Sequence, residues 1–377
     1  MGDTTPEGPG RRSAAAAALL TNGIVAAVLL GAAALVAWQP EAYYRAVQED
    51  ELLEWASFWA FAGAAGVFAW AALRRPSAER WRLWFPLGLA AFCLWVALEE
   101  ISWGQRVFGY RPPAYFLEHN YQQELNVHNV VASDLRQLAL KLVILGYGVA
   151  LPLLGLVPAL GRLYRRLAVV PPPLALVPAF LATYLLYEIY PWDFSGEWVE
   201  MMLGLGFLLA AVLSAARDAA RPGRALLAVA LACVVVAGAG EASAAWSRAQ
   251  RRAHPATLEA ARGEIRALAA DFREARVRTR CGLHKRLFTF VRQQNVEALG
   301  QGSFAALVEQ GLPEERSRFF LDPWNSPYWV RDSCGEDRRR RRIFVYSFGP
   351  DRMRDSTDWE IGGDDVGEIV FDASPDS

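Results

Sequence analysis

Lysine is nearly absent from this chain: Lys141 and Lys285 are its only two lysines, although lysine and arginine together number 39. This bias, beside abundant alanine, indicates a GC-rich bacterial genome. Features of several function classes are absent as well. No familiar zinc-enzyme motif is present. No pair of Gly/Pro-interrupted apolar runs indicates a transporter site. The informative features are therefore the apolar runs themselves and the polar residues beside them.

Seven apolar stretches are long enough, or nearly so, to cross a hydrocarbon core as helices, which takes about 20 residues. They cover residues 14–38, 53–73, 84–103, 138–158, 169–190, 199–215 and 225–246. The first is too long for the apolar part of a cleavable signal peptide, so we expect it to remain as a membrane anchor. Pro172, Pro173 and Pro178 should kink or delay the fifth helix. The sequence predicts a mainly α protein with a seven-helix transmembrane bundle in residues 1–246.

The arginines of the connecting segments alternate from one side of the predicted bundle to the other. Twelve lie on the side of the N-terminus: Arg11, Arg12, Arg74, Arg75, Arg80, Arg82, Arg162, Arg165, Arg166, Arg217, Arg221 and Arg224. Four lie on the opposite side: Arg45, Arg106, Arg111 and Arg136. Because basic segments stay in the cytoplasm, the asymmetry predicts a cytoplasmic N-terminus and, with seven spans, an external C-terminus. We expect a multi-pass protein of the bacterial cytoplasmic membrane, with residues 247–377 as an extracytoplasmic domain.

Polar residues concentrate at the predicted outer end of the third span. On a continuous helix Glu99, Ser102, Trp103 and Arg106 would share one face. Carboxylates near hydrocarbon are costly unless they are paired, so Arg106 is the expected counter-ion of Glu99. Further carboxylates occur at the same predicted level, namely Glu100, Glu188, Glu197 and Glu200. The carboxylates are therefore predicted to converge on the outer face of the bundle.

The segment that follows this span, 118–129, is rich in amides and also contains two histidines. If it is helical, Asn120, Glu124 and His128 lie on one face. Glutamate and histidine at that spacing can bind a divalent metal or act as an acid–base pair.

Three interpretations of these polar residues remain open. In the first, Glu99, Glu100, Glu124 and His128 are the catalytic residues of an outward-facing enzyme that acts on a lipid-linked or periplasmic substrate. In the second, the segment is joined to the bundle by a structural polar cluster that contains Ser102, Gln105, Arg106, His119 and Asn120. In the third, the segment is a solvated loop. The stretch 99–106 followed by 120–129 resembles uncharacterised bacterial multi-span membrane proteins, and this resemblance implies no activity.

Residues 247–377 have the pattern of a small α+β domain. Apolar residues between Leu258 and Phe272 recur at a three-to-four spacing, which predicts an amphipathic helix that begins near Pro255. A shorter helix is expected over 303–310, and Gly311 is its expected C-cap.

Two segments are predicted to pair as an antiparallel hairpin, Tyr328–Arg331 and Ile343–Ser347, with the basic run Arg338–Arg342 near the tip. Such a run either contacts anionic lipid headgroups or forms a solvated loop. Cys281 and Cys334 both fall in the predicted external domain. An oxidising compartment and an even number of cysteines favour a disulfide between them, and the alternative is two thiols too far apart to bond.

The chain after Gly349 is acidic, with nine carboxylates against Arg352 and Arg354. Gly362 and Gly363 permit sharp turns directly before Asp364 and Asp365. Closely spaced carboxylates together with loop carbonyls are the ligands that Ca²⁺ prefers. These residues alone are consistent with an ion site and with an acidic surface loop.

Three ordered sequence blocks resemble the C-terminal part of the major pseudopilin, protein G, of type II secretion systems. They are Asp322-Pro323-Trp324-x-x-Pro327-Tyr328, then Tyr346-Ser347-x-Gly349-x-Asp351, and then Asp364-Asp365. The resemblance implies a long helix packed on a small antiparallel sheet, and a calcium ion held in the acidic loop. It implies Asp364 and Asp365 as ligands, with the backbone carbonyls of Ser347 and Phe348 as further contributors.

The chain also departs from that family. Asn325 and Ser326 stand where the family has Gly-Asn. The pseudopilin helix packs into a filament, whereas the corresponding helix here follows a predicted seven-span bundle, so we do not expect filament assembly. The predicted role is non-catalytic: an envelope interaction or assembly module with a calcium-binding external domain. We expect the lipid bilayer and an envelope protein as partners, and no nucleic acid.

Overall fold

The computed structural model describes residues 9–74, 81–216, 222–251, 255–296, 298–335 and 340–373. The chain divides into two compact units: unit 1 is Met1–Arg106 with Val131–Trp246, and unit 2 is Val107–Val130 with Ser247–Ser377. The division after residue 246 coincides with the predicted boundary. The segment Val107–Val130, however, falls within the predicted transmembrane domain 1–246, whereas in the structure it packs with unit 2. Burial is the reason, since Leu117 is fully buried against Phe319 and Leu321.

Helices account for nearly all regular structure in the first 250 residues. In chain order they are α1 (Pro9–Trp38), α2 (Pro40–Ala46), α3 (Leu52–Leu73), α4 (Trp84–Glu100), α5 (Gln105–Phe108), α6 (Ala114–His119), α7 (Ser133–Lys141), α8 (Leu151–Leu154), α9 (Pro158–Leu167), α10 (Val177–Ile189), α11 (Ser195–Ala216) and α12 (Pro222–Gln250). A π-helical stretch, Leu142–Ala150, joins α7 to α8, so these three form one continuous apolar rod.

Among the described residues, six helices are long and apolar enough to cross a membrane. They are Ala16–Trp38, Leu52–Leu73, Trp81–Glu100, Ser133–Leu154, Ser195–Ala216 and Gly223–Gln250. The chain is therefore a mainly helical, multi-pass membrane protein by the length and composition of its helices.

The fifth predicted span, 169–190, is shorter than expected. Its apolar helix covers only Leu174–Ile189. Pro172 and Pro173 lie outside the helix, because proline lacks the N–H group that a helix interior requires. The expected delay of this helix is confirmed.

The centre of unit 1 is α11, whose residues 202–213 are buried on every side. A helix that is apolar all round is expected in such a position. Phe207 on α11 stacks on Tyr147 with ring centroids 4.5 Å apart, and it also contacts the rings of Phe61, Phe92 and Phe180. Helices from several parts of the chain therefore pack around α11.

Unit 2 contains the predicted α+β domain. Its remaining elements are α13 (Pro255–Glu274), α14 (Leu287–Gln294), α15 (Ser303–Ala306), α16 (Glu314–Phe319), β1 (Leu283–Arg286), β2 (Trp329–Cys334), β3 (Arg341–Ser347) and β4 (Val366–Ala373). The long helix predicted near Pro255 is confirmed. The short helix at 303–310 is also confirmed, and Gly311 ends it with φ 106°.

The four strands form one antiparallel sheet in the order β1-β2-β3-β4. Val330 pairs with Val345 and Arg331 with Phe344, so the predicted hairpin is confirmed. The helix α13 packs on one face through Ile265 and Leu268, which are buried with Val330, Ile343 and Val345. Alternate residues of each strand thus form one core with the apolar stripe of the helix.

The basic run near the hairpin tip is only partly a loop. Arg341 and Arg342 are the first residues of β3, and they form ion pairs with Asp332 and Asp372, both at 2.7 Å. Arg338 and Arg339 lie outside the described residues. The prediction of a solvated or lipid-contacting loop is therefore wrong for Arg341 and Arg342, whose side chains the sheet holds.

Cys281 and Cys334 form a disulfide in this structure, with their Cα atoms 5.4 Å apart. The bond joins the segment before β1 to the last residue of β2. Cys93 and Cys233 are the free cysteines of the described residues, and both lie in apolar helices of unit 1.

Candidate functional site

The helix of the third span ends earlier than the sequence indicated, and this changes the geometry around Glu99. Ser102 and Trp103 adopt left-handed backbone conformations, with φ of 46° and 55°. The predicted common helical face of Glu99, Ser102, Trp103 and Arg106 is therefore wrong, because the helix does not continue through these residues. The Glu99 carboxylate instead accepts a hydrogen bond of 2.7 Å from the Trp103 indole. The side chain of Arg106, its predicted counter-ion, lies outside the described residues.

Several of the other predicted carboxylates do come together in unit 1. Glu100 interacts electrostatically with Glu54, Glu197 and Glu200, which lie on α3 and α11. Glu188 is held separately by an ion pair of 2.6 Å with Lys141.

The segment 107–130 is not the continuous helix that would align Asn120, Glu124 and His128. Beyond α6, residues 120–130 form turns. The Asn120 amide donates to the carbonyl of Glu124 at 2.7 Å and to the side chain of Asn126 at 2.8 Å. These bonds fold the segment back on itself, so the prediction of one helical face is wrong. Two bonds to the rest of unit 2, from Gln123 to the carbonyl of Phe319 and from Arg292 to Glu118, secure it there.

The members of the predicted polar cluster likewise have different surroundings. Ser102 and Gln105 are buried in unit 1. Asn120 is buried in unit 2, and His119 stacks on Tyr115 with ring centroids 4.5 Å apart. The four predicted catalytic residues divide in the same way: Glu99 and Glu100 belong to unit 1, and Glu124 and His128 belong to unit 2.

The acidic segment of unit 2 brings three carboxylates together. Oxygens of Asp351, Asp355 and Asp364 all lie within 4.8 Å of one another. Oxygens on opposite sides of one calcium ion are about 4.6–5.2 Å apart, because each Ca–O distance is about 2.3–2.6 Å. The spacing of these three carboxylates therefore fits a single calcium ion.

Two glycines permit this approach of the chain. Gly363 has φ 60°, and a Cβ atom there would overlap the Asp355 carboxylate. Gly349 has φ 70°, and a Cβ atom there would overlap the backbone carbonyl of Asp364. Only glycine adopts these conformations without strain and leaves the space that the carboxylates occupy.

Asp365 lies beside the three carboxylates and is 9% exposed. Its Oδ2 accepts a hydrogen bond of 2.8 Å from the Ser356 amide, which holds the acidic segment closed. Its Oδ1, like the Oδ1 of Asp364, is buried and has no hydrogen-bond partner among the described residues. Such oxygens are costly to bury, and a cation would satisfy them.

The electrostatics of the cluster also favour a cation. Burial, together with the charges of Asp351 and Asp355, raises the pKa of Asp364 to about 7. Burial raises the pKa of Asp365 to about 6 and also raises the pKa of Asp351. The cluster opens onto a groove of about 940 Å³, from which water could supply further ligands.

Ser347 and Phe348, the residues predicted to contribute backbone carbonyls, have side chains that contact other parts of unit 2. The Ser347 hydroxyl donates to Asp322 at 2.6 Å and accepts from the Gly349 amide at 3.0 Å. Asp322 is fully buried and also accepts from the amides of Trp324 and Ser326. These bonds connect the Asp-Pro-Trp turn to the glycine that approaches Asp364. The Phe348 ring stacks on Trp329 with centroids 4.8 Å apart.

Of the residues predicted as calcium ligands, Asp364 belongs to this cluster of carboxylates and Asp365 is the next residue in the chain. Asp351 was predicted only as part of a sequence block, and Asp355 was not predicted as a ligand. The sequence feature that could have indicated these two residues is the position of Asp351 and Asp355 before the paired glycines Gly362 and Gly363. This feature predicts a cluster only when it is known that Asp364 folds back against them.

No known protein family matches the chain, and no curated protein and no solved structure is similar to it.

Proposed function

We propose that this chain is a seven-span protein of the bacterial cytoplasmic membrane whose external, pseudopilin-like unit binds calcium and serves as an envelope interaction or assembly module. The observation that carries the proposal is the cluster of Asp351, Asp355 and Asp364, together with the buried Oδ1 atoms of Asp364 and Asp365, which have no hydrogen-bond partner among the described residues. The order of elements in unit 2, a long helix followed by a small antiparallel sheet, also supports the pseudopilin resemblance.

In this proposal calcium is a structural ion. Asp351, Asp355 and Asp364 would hold it through their carboxylates, and Asp365 would contribute its free oxygen. Bound in this way, the ion would join Asp351 to Asp364 and so close the loop between them. A fixed loop presents a constant surface to a partner, since its ordering cost has been met before binding.

Calcium titration of the full-length protein in detergent tests the site. We expect heat of binding in calorimetry, and an affinity about tenfold weaker or worse after Asp351→Asn or Asp364→Asn, because the number of charged ligands sets calcium affinity. Magnesium should bind far more weakly, because it requires a nearly regular octahedral shell. The matched control is Asp358→Asn, since Asp358 forms ion pairs with Arg331 and Arg354 and lies outside the cluster. Equal calcium affinities in all three variants would contradict the assignment.

Seven spans are proposed rather than six, although Leu174–Ile189 is short. Its 16 residues rise about 24 Å as a helix, and the extended residues before it would add the remaining length. Unit 2 is made of two separate chain segments, and this supports seven spans. Val107–Val130 and Ser247–Ser377 pack together and so lie on one side of the membrane. An even number of crossings must separate them. Four crossings result if Leu174–Ile189 spans the membrane, and only three result if it does not.

Two further observations support an external unit 2. The arginine asymmetry favours a cytoplasmic N-terminus, and seven crossings then place the C-terminus outside. The Cys281–Cys334 disulfide is typical of an oxidising compartment.

Reporter fusions test the topology. Alkaline phosphatase fused after residue 377 should be active in a bacterial host, and green fluorescent protein exported there by the Sec route should remain dark. Fusions between residues 216 and 222 should give the opposite results and serve as the control. A bright fluorescent C-terminal fusion would contradict the external location and the number of seven spans.

A further inference from the structure

A second groove, of about 450 Å³, lies in unit 2 and is strongly basic. It is lined by Arg273, Arg276, Arg278 and Arg341 and by apolar side chains that include Phe371. Four arginines thus surround an apolar floor, and no acidic side chain is among the described residues that line it. We call this the basic groove.

Among the residues that the structure describes, only one of its four guanidinium groups forms an ion pair. Arg341 is paired with Asp332 at 2.7 Å. Arg273 donates a hydrogen bond of 2.7 Å to the backbone carbonyl of Ile369. Because a carbonyl is uncharged, this bond does not neutralise the positive charge of the guanidinium. Arg276 and Arg278 are exposed and form no ion pair with any residue that the structure describes. Mutual repulsion of these charges disfavours the folded unit, and an anionic partner would remove that cost.

An aromatic side chain is exposed at the same place. Phe371 is 46% exposed, and the Arg341 guanidinium lies 5.9 Å from its ring centroid. Arginine beside an exposed aromatic ring is a common composition at protein–protein interfaces.

The basic groove and one contact of the segment 107–130 lie at different ends of the sheet of unit 2. The segment 107–130, which connects two candidate spans, contacts the unit at Arg286, and Arg286 pairs with the first residue of β2. The basic groove lies at the other end of the strands, where Arg341 pairs with the last residue of β2, Cys334. These two ends are about 17 Å apart along β2. The basic groove therefore lies at the opposite end of β2 from the contact between Arg286 and this segment.

We propose that the basic groove binds an extended acidic segment of a partner protein. Carboxylates of that segment would pair with Arg276 and Arg278, and an apolar side chain would pack on Phe371. Because Arg273 already occupies the carbonyl of Ile369, the segment binds through its side chains and does not add a strand to the edge of β4. This inference deepens the proposed interaction role by naming the surface and the chemistry of the partner.

A labelled peptide tests the proposal on the full-length protein in phosphatidylcholine nanodiscs. The probe is acetyl-Asp-Glu-Leu-Asp-Glu-Phe-Asp-Glu amide, and fluorescence anisotropy measures its binding. The double change Arg276→Ala, Arg278→Ala should weaken binding about tenfold, as expected for two partly desolvated charge pairs. Arg276→Lys, Arg278→Lys should retain part of the affinity, because lysine keeps the charge but not the planar fork. Phe371→Ala should also weaken binding, and added salt should reduce it in the unaltered protein.

The matched control is Lys285→Ala, Arg318→Ala, which removes the same charge from unit 2 outside the basic groove. This variant should bind the probe normally, and a probe with Asn and Gln in place of its acids should not bind. The proposal is overturned if the acidic probe fails to bind, or if the Arg276→Ala, Arg278→Ala variant binds it as tightly as the Lys285→Ala, Arg318→Ala control.

A further experiment, with anionic lipid and no peptide, distinguishes binding to the bilayer from binding to a protein partner. Nanodiscs that contain phosphatidylglycerol, without peptide, should leave hydrogen exchange of residues 273–280 unchanged. Slower exchange there would make the basic groove a membrane contact and overturn the proposal. If the peptide fails to bind while calcium binds normally and the C-terminus is external, the inference about the basic groove is wrong. The calcium site and the topology in the proposed function would then still stand.

Discussion

Calcium at a thousandfold excess over its Kd is expected to slow amide hydrogen exchange in the acidic segment 351–365 by about 1000-fold, which corresponds to about 4.1 kcal/mol. The reason is that an ion held by Asp351, Asp355 and Asp364 must leave before the segment can open. Exchange in the full-length protein in nanodiscs measures this locally, so no assumption of two-state unfolding is needed for a chain of two units.

The effect should depend on pH. The pKa of Asp364 is raised to about 7 and that of Asp365 to about 6, so the folded unit retains protons that the unfolded chain loses above about pH 4. Without calcium, stability should therefore fall as pH rises through the window from about 4 to 7. Calcium binds the ionised carboxylates, so its stabilisation should grow as pH rises through the same window. A calcium effect that is equal at about pH 5 and about pH 8 would contradict these assignments.

Variants of the acidic segment complete this experiment. Asp364→Asn should abolish most of the calcium effect, and it should also reduce the pH dependence without calcium to the part that Asp365 contributes. Gly363→Ala should have the same effect on calcium for a steric reason, because its Cβ atom would displace the Asp355 carboxylate. Asp358→Asn should leave the calcium effect intact.

Glu264→Ala is expected to destabilise unit 2 by about 3–5 kcal/mol. The Glu264 carboxylate lies under the sheet and accepts from Arg316 at 2.5 Å and from the Tyr328 hydroxyl at 2.8 Å. The alanine variant leaves a guanidinium whose side chain is 11% exposed without its counter-ion, and a fully buried hydroxyl without its acceptor. Exchange of protected amides in α13 and β2 should accelerate by roughly two to three and a half orders of magnitude.

The matched control is on the same helix. Glu259 pairs with Arg262 at 2.7 Å, but both side chains are more than half exposed, so Glu259→Ala should change stability by less than about 1 kcal/mol. The double change Glu264→Ala, Arg316→Ala should be less damaging than Glu264→Ala alone, because no buried charge is left unpaired. If the double variant is instead the less stable of the two, the pairing is not the source of the effect.

The sequence by itself determined the features that depend on local periodicity and chain chemistry. Long apolar runs identified the six helices, because a membrane requires continuous hydrophobicity over a fixed length. The three-to-four spacing from Leu258 to Phe272 identified α13, and Gly311 marked the end of the short helix. The alternating residues around Val330 and Val345 identified the hairpin, because a strand with one buried face repeats every two residues.

Only the tertiary structure decided which distant residues meet. Nothing local predicts that Ser102 and Trp103 turn the chain out of its helix, or that Leu117 is buried against Phe319. Asp351 and Asp355 join the carboxylate cluster because the chain returns to them at Asp364, a contact that the paired glycines permit but do not specify. The basic groove has the same origin, since its arginines come from the last turn of α13, from the segment that follows it and from the start of β3. Spacing along a chain fixes which side chains share a face of one element, whereas the burial of apolar surface fixes which elements come together.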